Sequence, residues 1–316
     1  MRVPDFFVVG APKTGTTSLH TWLQQHPNVF LPFEKEPTFF ATDMPGYRLT
    51  TELDAYLRLF AGATDAHLRV GEASVWYLYS RTAIPELLKV SPDARLIVML
   101  RDPVELVHSL HAHFLQNFNE DVEDFATAWR LSDERRAGRR IPPLAKVPSA
   151  LVYADVGRLG EQLARLYAHV PRERVHVVFF EDLSRDGARA WADVQRFLGL
   201  PDHPLAELPR ANASRRNRFP RLARLAYRPP ALLRAALDAF RRATGLRGTG
   251  LGRLFHRVNQ APAQRKLTDE ALRAEVRASF AEDVARLEGL VGRDLSAWRA
   301  VTGPSHASTS DAYIVK

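Results

Sequence analysis

The chain has 316 residues and a formal net charge of +8 at pH 7, and 46% of its residues are apolar. This composition can fill a sizeable core and excludes a mainly disordered chain. Cysteine is absent, which excludes disulfides, thiolate metal sites and cysteine nucleophiles. Because there is no run of 18 apolar residues and no charged leader before Phe6, we expect no membrane span and no signal peptide, and we expect a soluble cytoplasmic protein.

Arginine carries most of the positive charge, since only six of the 44 basic residues are lysines. A guanidinium grips phosphate and carboxylate groups with a planar fork, so one interpretation is an anionic ligand. A GC-rich genome that favours Arg and Ala explains the bias equally well. The net charge also permits a basic nucleic-acid-binding module. However, aromatic and basic residues are not interleaved as nucleic-acid binding requires, so we expect no nucleic-acid partner.

Apolar runs and helical spacing alternate along the first 200 residues. Buried strands are predicted at Phe6–Val9, Arg69–Glu72, Arg95–Leu100 and Val175–Phe180. Helices are predicted at Thr16–Gln25, Pro85–Val90, Leu159–Ala168, Ala188–Leu198 and Ala271–Leu290. A further helix is expected after Arg101, with Asp102 as N-cap, Pro103 at the first position and Glu105 as capping-box partner. Such alternation predicts an α/β fold with a central parallel sheet flanked by helices.

Residues 206–266 differ in composition, because they are rich in Arg, Pro and Gly. Within them Leu232–Ala243 has the spacing of an amphipathic helix. This helix is interpreted either as a lid or membrane-surface contact or as an ordinary packed surface helix. We expect residues 1–300 to form a single domain that includes this lid or acceptor-side segment, and residues 303–316 to form a flexible tail.

The first predicted strand and helix are joined by a glycine-containing loop that begins at Gly10. Free N–H groups at the start of a helix, together with the helix dipole, attract a phosphate, and glycines let the backbone turn around it. Lys13 supplies a cation, and the hydroxyls of Thr16, Thr17 and Ser18 supply donors. The loop is therefore predicted to hold a 5′-phosphate, with Lys13 directed at whatever is attached to it.

This loop departs from the nucleoside-triphosphatase pattern G-x-x-x-x-G-K-[ST]. The two glycines have the required spacing, but Thr16 stands where the lysine belongs. No strand ends in a clear Mg²⁺-binding Asp. A P-loop kinase therefore stays an alternative that the loop does not favour, and ATP with Mg²⁺ would distinguish it.

A second set of polar residues follows the strand Arg95–Leu100. Arg101 leaves the carboxyl end of that strand, which is where open α/β sheets bind ligands. Ser109 lies about two turns into the following helix, where its hydroxyl could face the same pocket.

The motif Pro12-Lys13-Thr14-Gly15-Thr16-Thr17-Ser18-Leu19 resembles the 5′-phosphosulfate loop of sulfotransferases. These enzymes use 3′-phosphoadenosine 5′-phosphosulfate (PAPS) as donor and release 3′,5′-ADP (PAP). Their second signature, an Arg and a Ser eight residues apart, is matched by Arg101 and Ser109. The resemblance extends from Phe6 to Trp298 and implies a P-loop-like sulfotransferase fold, metal-independent transfer, and donor binding by residues 13–18, Arg101 and Ser109.

The segment Phe33-Glu34-Lys35-Glu36-Pro37-Thr38-Phe39-Phe40 is similar to a stretch of the glycan-sulfating branch. The resemblance implies that Glu36 takes the proton from the acceptor and that Lys13 assists the reaction from the loop. Glu34 is the competing base. Heparan-modifying members carry a Lys after the Glu that matches Glu72, whereas this chain has Ala73. A heparan-like acceptor is therefore not favoured, and the acceptor is expected to be a small molecule or another carbohydrate.

Three further sets of residues have two interpretations each. A loose match to the family places Tyr153 at the adenine side, and Glu72 is either a second acidic group of the site or a structural acceptor. Arg215 and Arg216 lie in a basic loop that resembles the one closing over the nucleotide in this family, or they are solvated. His108, His111 and His113 lack the partners of a zinc site. His108 or His111 could line the acceptor pocket, but ordinary polar-face histidines are favoured.

Overall fold

The computed structural model describes residues 2–205, 215–217, 260–262, 267 and 269–300. The helices are α1 Thr16–Gln25, α2 Leu53–Leu57, α3 Ala83–Val90, α4 Pro103–Gln116, α5 Phe125–Arg130, α6 Ser132–Arg136, α7 Tyr153–Val156, α8 Leu159–Tyr167, α9 Phe180–Arg185, α10 Gly187–Leu198, α11 Glu270–Val291 and α12 Ser296–Arg299. The strands are β1 Phe6–Gly10, β2 Val29–Phe30, β3 Arg69–Ala73, β4 Arg95–Leu100, β5 Val175–Phe179, β6 Arg215–Asn217 and β7 Gln260–Pro262.

Five parallel strands form the central sheet in the order β2-β3-β1-β4-β5. After β1 the chain crosses to the β2 side, and after β4 it crosses to the β5 side. The connections leaving these two neighbouring strands therefore diverge. A crevice opens at such a switch point, beyond the carboxyl ends of the strands. The predicted parallel α/β fold is confirmed, and its switch point lies between Gly10 and Arg101.

Side chains alternate across the sheet, so each central strand contributes to two buried clusters. Phe6 and Val8 of β1 pack on the face covered by α1 and α10. On this face the rings of Trp22 and Trp191 meet edge to face, with 6.4 Å between their centroids. Phe7 and Val9 pack on the opposite face, which α3, α4, α8 and α11 cover. Burial on both faces explains the continuous apolar runs from which the strands were predicted.

The start of α4 differs in one detail from its prediction. Asp102 is the N-cap, and its carboxylate accepts from the Val104 amide at 2.9 Å. Glu105, however, does not complete a capping box. Its carboxylate accepts from Arg273 of α11 at 2.9 Å, because the last long helix packs against this end of α4.

Most predicted elements agree with the structure to within two residues. Phe180, predicted as the end of a strand, instead begins α9. Strands β6 and β7 form a separate antiparallel pair. The predicted helix Leu232–Ala243 and the tail 303–316 lie outside the described residues. Within the described part of the chain, no helix is both long and apolar enough to cross a membrane.

Candidate functional site

The loop between β1 and α1 requires glycine at both ends. Gly10 has φ 139°, and a Cβ there would lie 2.5 Å from the carbonyl oxygen of Val75. Gly15 has φ 86°, and a Cβ there would come within 3.1 Å of the Phe180 ring. Only glycine combines a positive φ with such close neighbours at little cost. The loop therefore turns sharply at its first and last residue and leads directly into α1.

The first turn of α1 presents unsatisfied amides. The helix has no side-chain cap, and among the described residues no hydrogen bond is recorded for the amides of Gly15, Thr16 and Thr17. Thr14 is fully buried and donates its hydroxyl to the Ala11 carbonyl at 2.7 Å, so its side chain closes the loop. Free amides at a helix start are donors for an anion. All six predicted loop residues lie here: Lys13, Thr14, Gly15, Thr16, Thr17 and Ser18.

Arg101 reaches this loop from the end of β4. It donates to the carbonyl oxygen of Lys13 at 3.1 Å and stacks over the Phe180 ring at 4.6 Å. Glu105 lies 3.8 Å from the guanidinium and is itself held by Arg273. The structure thus brings together the two motifs predicted to bind the donor, although 87 residues separate them in the sequence.

One face of α4 is directed at the same loop. Glu105 contacts Arg101, and Ser109 and His113 follow at intervals of four residues, so all three project on neighbouring parts of that face. Desolvation and the charges of Lys13 and Lys35 lower the pKa of His113, although its ring keeps contact with solvent. His113 therefore lies beside the loop, whereas the sequence analysis had considered only His108 and His111 for the acceptor pocket.

The backbone of β6 lies beside α4. This strand contains Arg215 and Arg216, so the structure brings the predicted basic loop to the helix that carries Ser109. Ser214 and Pro220, the neighbours that frame this motif in the sequence, lie outside the described residues.

Lys13 occupies an electrostatically unfavourable position. Burial lowers the pKa of Lys13, the charges of Arg101 and Lys35 lower it further, and the carboxylate of Glu36 opposes the shift. Its backbone is left-handed, with φ 64°. Such strain and such crowding of like charges are found where a site is built for a ligand. The arrangement fits an anion between these cations.

Glu36 faces Lys13 from the loop that precedes α2. Its amide donates to the Ala73 carbonyl at 3.0 Å, and its φ is 60°. Its carboxylate is 37% exposed and accepts from Lys35 at 2.9 Å. Glu34 is exposed and has no recorded partner among the described residues. The accessible carboxylate beside Lys13 is therefore that of Glu36.

A buried carboxyl group supports the Glu36 loop from behind. Glu72 is fully buried, and its Oε2 accepts from Tyr56 at 2.5 Å and from Tyr77 at 3.2 Å. Its Oε1 has no hydrogen-bond partner among the described residues. Burial raises the pKa of Glu72 to about 7, against the opposing effect of these hydrogen bonds.

Tyr77 also links this group to the loop, because its hydroxyl accepts from the Phe40 amide at 3.3 Å. Glu72 thus lies behind the site as part of its support. The sequence had left open whether Glu72 was a second acidic group of the site or a structural acceptor, and its burial favours the structural interpretation.

Two residues considered for the site belong to the core. Tyr153 is fully buried and donates to Glu120 at 2.9 Å, so it cannot contact an adenine as expected without leaving the core. His111 is 3% exposed, and its Nε2 pairs with the Val122 carbonyl at 2.8 Å. His108 packs edge to face on Phe125. Tyr153 and His111 are therefore held in the core, where their rings pack against each other.

The chain belongs to the sulfotransferase family, because a sequence model of that family matches residues 4–204. The crystal structure of a sulfotransferase from Alicyclobacillus acidocaldarius has the same fold. It superposes with a TM-score of 0.69 at 29% identity and covers 95% of this chain and 100% of that one.

Curated relatives match over shorter segments. A bifunctional heparan sulfate N-deacetylase/N-sulfotransferase 4 of Mus musculus is 25% identical over 204 residues, which are 64% of this chain and 23% of that protein. Carbohydrate sulfotransferase 15 of Homo sapiens is 31% identical over 164 residues, which are 39% of this chain and 29% of that protein. The chain thus spans less than a third of the length of these two relatives.

Proposed function

We propose that the protein transfers the sulfuryl group of PAPS to a hydroxyl or amine of a carbohydrate or small-molecule acceptor, and releases 3′,5′-ADP. One observation carries the proposal. The loop of Lys13, the guanidinium of Arg101 and the carboxylate of Glu36 meet at the switch point of the sheet. Two of these groups suit a donor with two separate anionic ends, and the third suits an acceptor that must lose a proton.

The described residues fit the donor. The free amides at the start of α1 and the Lys13 ammonium suit the 5′-phosphosulfate, and Gly10 and Gly15 let the backbone approach it. Arg101 and Ser109 suit the 3′-phosphate, because an Arg fork binds phosphate with charge-assisted hydrogen bonds. When bound, PAPS supplies an activated sulfuryl group whose leaving group is a phosphate.

Two residues then have assigned chemical tasks. Glu36 accepts the proton of the acceptor group as that group attacks, and a positioned base of this kind contributes about 10²- to 10⁴-fold. Lys13 stabilises the negative charge that grows on the phosphate oxygen as the sulfur–oxygen bond breaks. A preorganised donor to such a charge is worth about 10²- to 10³-fold in kcat.

The acceptor class follows from the relatives and from one substitution. The names of the matched relatives, heparan sulfate N-sulfotransferase and carbohydrate sulfotransferase, support a carbohydrate hydroxyl or amine. Ala73 stands where heparan-modifying members carry a lysine, which removes a cation from the acceptor side. We therefore favour an acceptor with less negative charge than heparan.

The test is a turnover assay that offers PAPS with neutral oligosaccharides, amino sugars, desulfated heparan fragments and phenols. Release of 3′,5′-ADP coupled to sulfation of one acceptor class, in the presence of EDTA, is the expected result. Arg101→Ala is expected to weaken the use of PAPS, and Arg196→Ala is its matched control, because Arg196 is 76% exposed and forms an ion pair with nearby Asp193 on α10. No 3′,5′-ADP release with any acceptor, or transfer from ATP with Mg²⁺ instead, would overturn the proposal.

A further inference from the structure

Lys35 occupies a position between the two halves of the site. Its Nζ donates to the Thr17 hydroxyl at 3.2 Å and to Glu36 Oε1 at 2.9 Å. Thr17 belongs to the first turn of α1, beside the donor loop, and Glu36 lies on the acceptor side. The side chain of Lys35 is 23% exposed, so the ammonium is directed inward and not into bulk solvent.

The positive charge of Lys35 affects several neighbouring groups. Burial is the main cause of the lowered pKa of Lys13, His20 and His113, and the charge of Lys35 lowers each pKa further. A third cation beside Lys13 and Arg101 is unfavourable unless an anion compensates it. The carboxylate that contacts Lys35 in the described part of the chain is that of Glu36.

The contact with Lys35 holds one carboxylate oxygen of Glu36 and leaves the other oxygen available to take a proton. Lys35 anchors Oε1, whereas Oε2 has no recorded hydrogen bond among the described residues. A base must lie within about 2.6–3.2 Å of the atom that carries the proton it removes, and small displacements cost much of its effect. A carboxylate on a left-handed loop residue, with 37% of its side chain exposed, needs a partner that fixes its direction.

We propose that Lys35 is a positioning residue that fixes Glu36 against the first turn of α1, so that base and donor loop keep the spacing needed for in-line transfer. This proposal rests on the sulfuryl transfer proposed above. The ammonium acts through Glu36 and joins the donor side to the acceptor side. It also supplies the acceptor side with a cation in a chain that has Ala73 where related enzymes have lysine.

A double-mutant cycle tests whether Lys35 acts through Glu36. Lys35→Met, Glu36→Gln and the double variant are assayed with a weakly acidic alcohol acceptor. Lys35→Met is expected to lower kcat by about 10- to 100-fold and to leave the KM for PAPS within about threefold. In the Glu36→Gln background the same change is expected to cost less than about twofold, because the partner is already lost.

Two controls accompany the cycle. Lys89→Met removes a lysine that forms an ion pair with Glu86 at 2.6 Å on the solvent-facing side of α3, and it is expected to leave kcat unchanged. Lys35→Arg keeps the charge and is expected to restore part of the activity. Losses that multiply in the double variant, or a loss confined to the KM for PAPS, would overturn the proposal.

A second measurement does not depend on turnover. The chain has only six lysines, so acylation of each amine can be followed by mass spectrometry. Glu36→Gln is expected to speed labelling of Lys35 several-fold relative to Lys89. Equal labelling of Lys35 in the wild type and the variant would refute the contact between Lys35 and Glu36. If labelling became faster but no 3′,5′-ADP were released with any acceptor, the sulfuryl transfer would be refuted and the contact would be supported.

Discussion

The two sides of α4 carry charged clusters of opposite character. On one side Glu120 and Arg135 form a fully buried ion pair at 2.7 Å, joined by Tyr153. On the other side the cations Lys13, Arg101 and Lys35 lie close together. Among the described residues, the Glu36 carboxylate contacts Lys35, and the Glu105 carboxylate is shared between Arg101 and Arg273.

The first cluster is balanced and closed, whereas the second is charged and open. Burial alone would raise the pKa of Glu120, but the hydrogen bonds from Arg135, Tyr153 and the Val122 amide lower it. At Lys13, by contrast, burial lowers the pKa and the neighbouring charges of Arg101 and Lys35 lower it further. We infer that the balanced cluster stabilises the fold and that the unbalanced cluster is arranged to bind an anion.

Arg135→Met should give the largest effect, because it leaves Glu120 as an unpaired buried charge. Breaking one partner of a buried pair costs about 3–5 kcal/mol of unfolding free energy. Arg136→Met is the matched control, since Arg136 is 46% exposed in its pair with Asp155 and should cost at most about 1 kcal/mol. Urea denaturation measures both. Equal losses of unfolding free energy for the two variants would show that the buried Glu120 pair contributes no more to stability than the exposed pair.

Lys13→Ala should produce the opposite pattern. Removing a desolvated cation from among like charges should leave the unfolding free energy unchanged or slightly higher, while kcat falls about 10²- to 10³-fold.

Glu36→Gln should also lower kcat, but an acidic phenol acceptor should partly restore it, because that acceptor needs less help from a base. Lys13→Ala should not be rescued, since its defect is on the leaving-group side.

The measurement is kcat for both variants with phenols of decreasing pKa, alongside urea denaturation. If Glu36→Gln kept near-normal turnover with a poorly acidic alcohol, another group would be the base. Glu34 or His113 would then be the next candidate.

Glu72 extends the comparison, because it is a buried carboxyl whose hydrogen-bond partners within the described part of the chain are tyrosines and not cations. Its pKa is raised from 4.5 to about 7, so its stabilising protonated form is fully present below pH 4.5 and is lost as pH rises through 7. Wild-type unfolding free energy should therefore fall by about 3 kcal/mol across that range relative to Glu72→Gln. Parallel pH profiles in urea denaturation would contradict this; Glu86→Gln is the exposed control.

His111 and His113 lie two residues apart and so on opposite sides of α4. His111→Ala leaves the Val122 carbonyl unpaired and should cost about 1–3 kcal/mol of unfolding free energy with little change in activity per folded molecule. His113→Ala should leave stability intact and lower kcat/KM by about tenfold, or about 1.4 kcal/mol. Thermal unfolding and steady-state kinetics on both variants test the pair. If both variants changed unfolding free energy and kcat/KM in the same way, the two sides of α4 would not differ in role.

The meeting of the glycine-containing loop with Arg101 could be predicted from the sequence, for physical reasons. The Gly10–Ser18 loop and the Arg101 turn are local motifs, each directly after a continuous apolar strand. Because parallel strands end at one edge, their meeting follows from the fold. The contact of Arg101 with the Lys13 carbonyl is what that reasoning requires.

The acceptor side could not be predicted in the same way. Helical spacing separates His111 from His113 but does not say which of them faces the loop. Nor does it show that Tyr153 pairs with Glu120 in the core. The contact of Lys35 with Thr17 joins segments 18 residues apart through a non-regular loop, and Arg273 reaches Glu105 from a helix 168 residues away. Such contacts depend on how the elements pack, and no local pattern encodes them.

The proposed function requires the unbalanced cluster to bind a nucleotide with phosphates at both the 3′ and 5′ positions. Calorimetric titration of 3′,5′-ADP in EDTA is the decisive measurement, with the wild type, Arg101→Ala and the Arg196→Ala control. We expect metal-free binding by the wild type and the control, and binding about 10- to 100-fold weaker for Arg101→Ala. We also expect 5′-AMP, which lacks the 3′-phosphate, to bind the wild type and Arg101→Ala with similar weak affinity. No wild-type binding, a strict need for Mg²⁺, or equal affinity of Arg101→Ala for 3′,5′-ADP would contradict it.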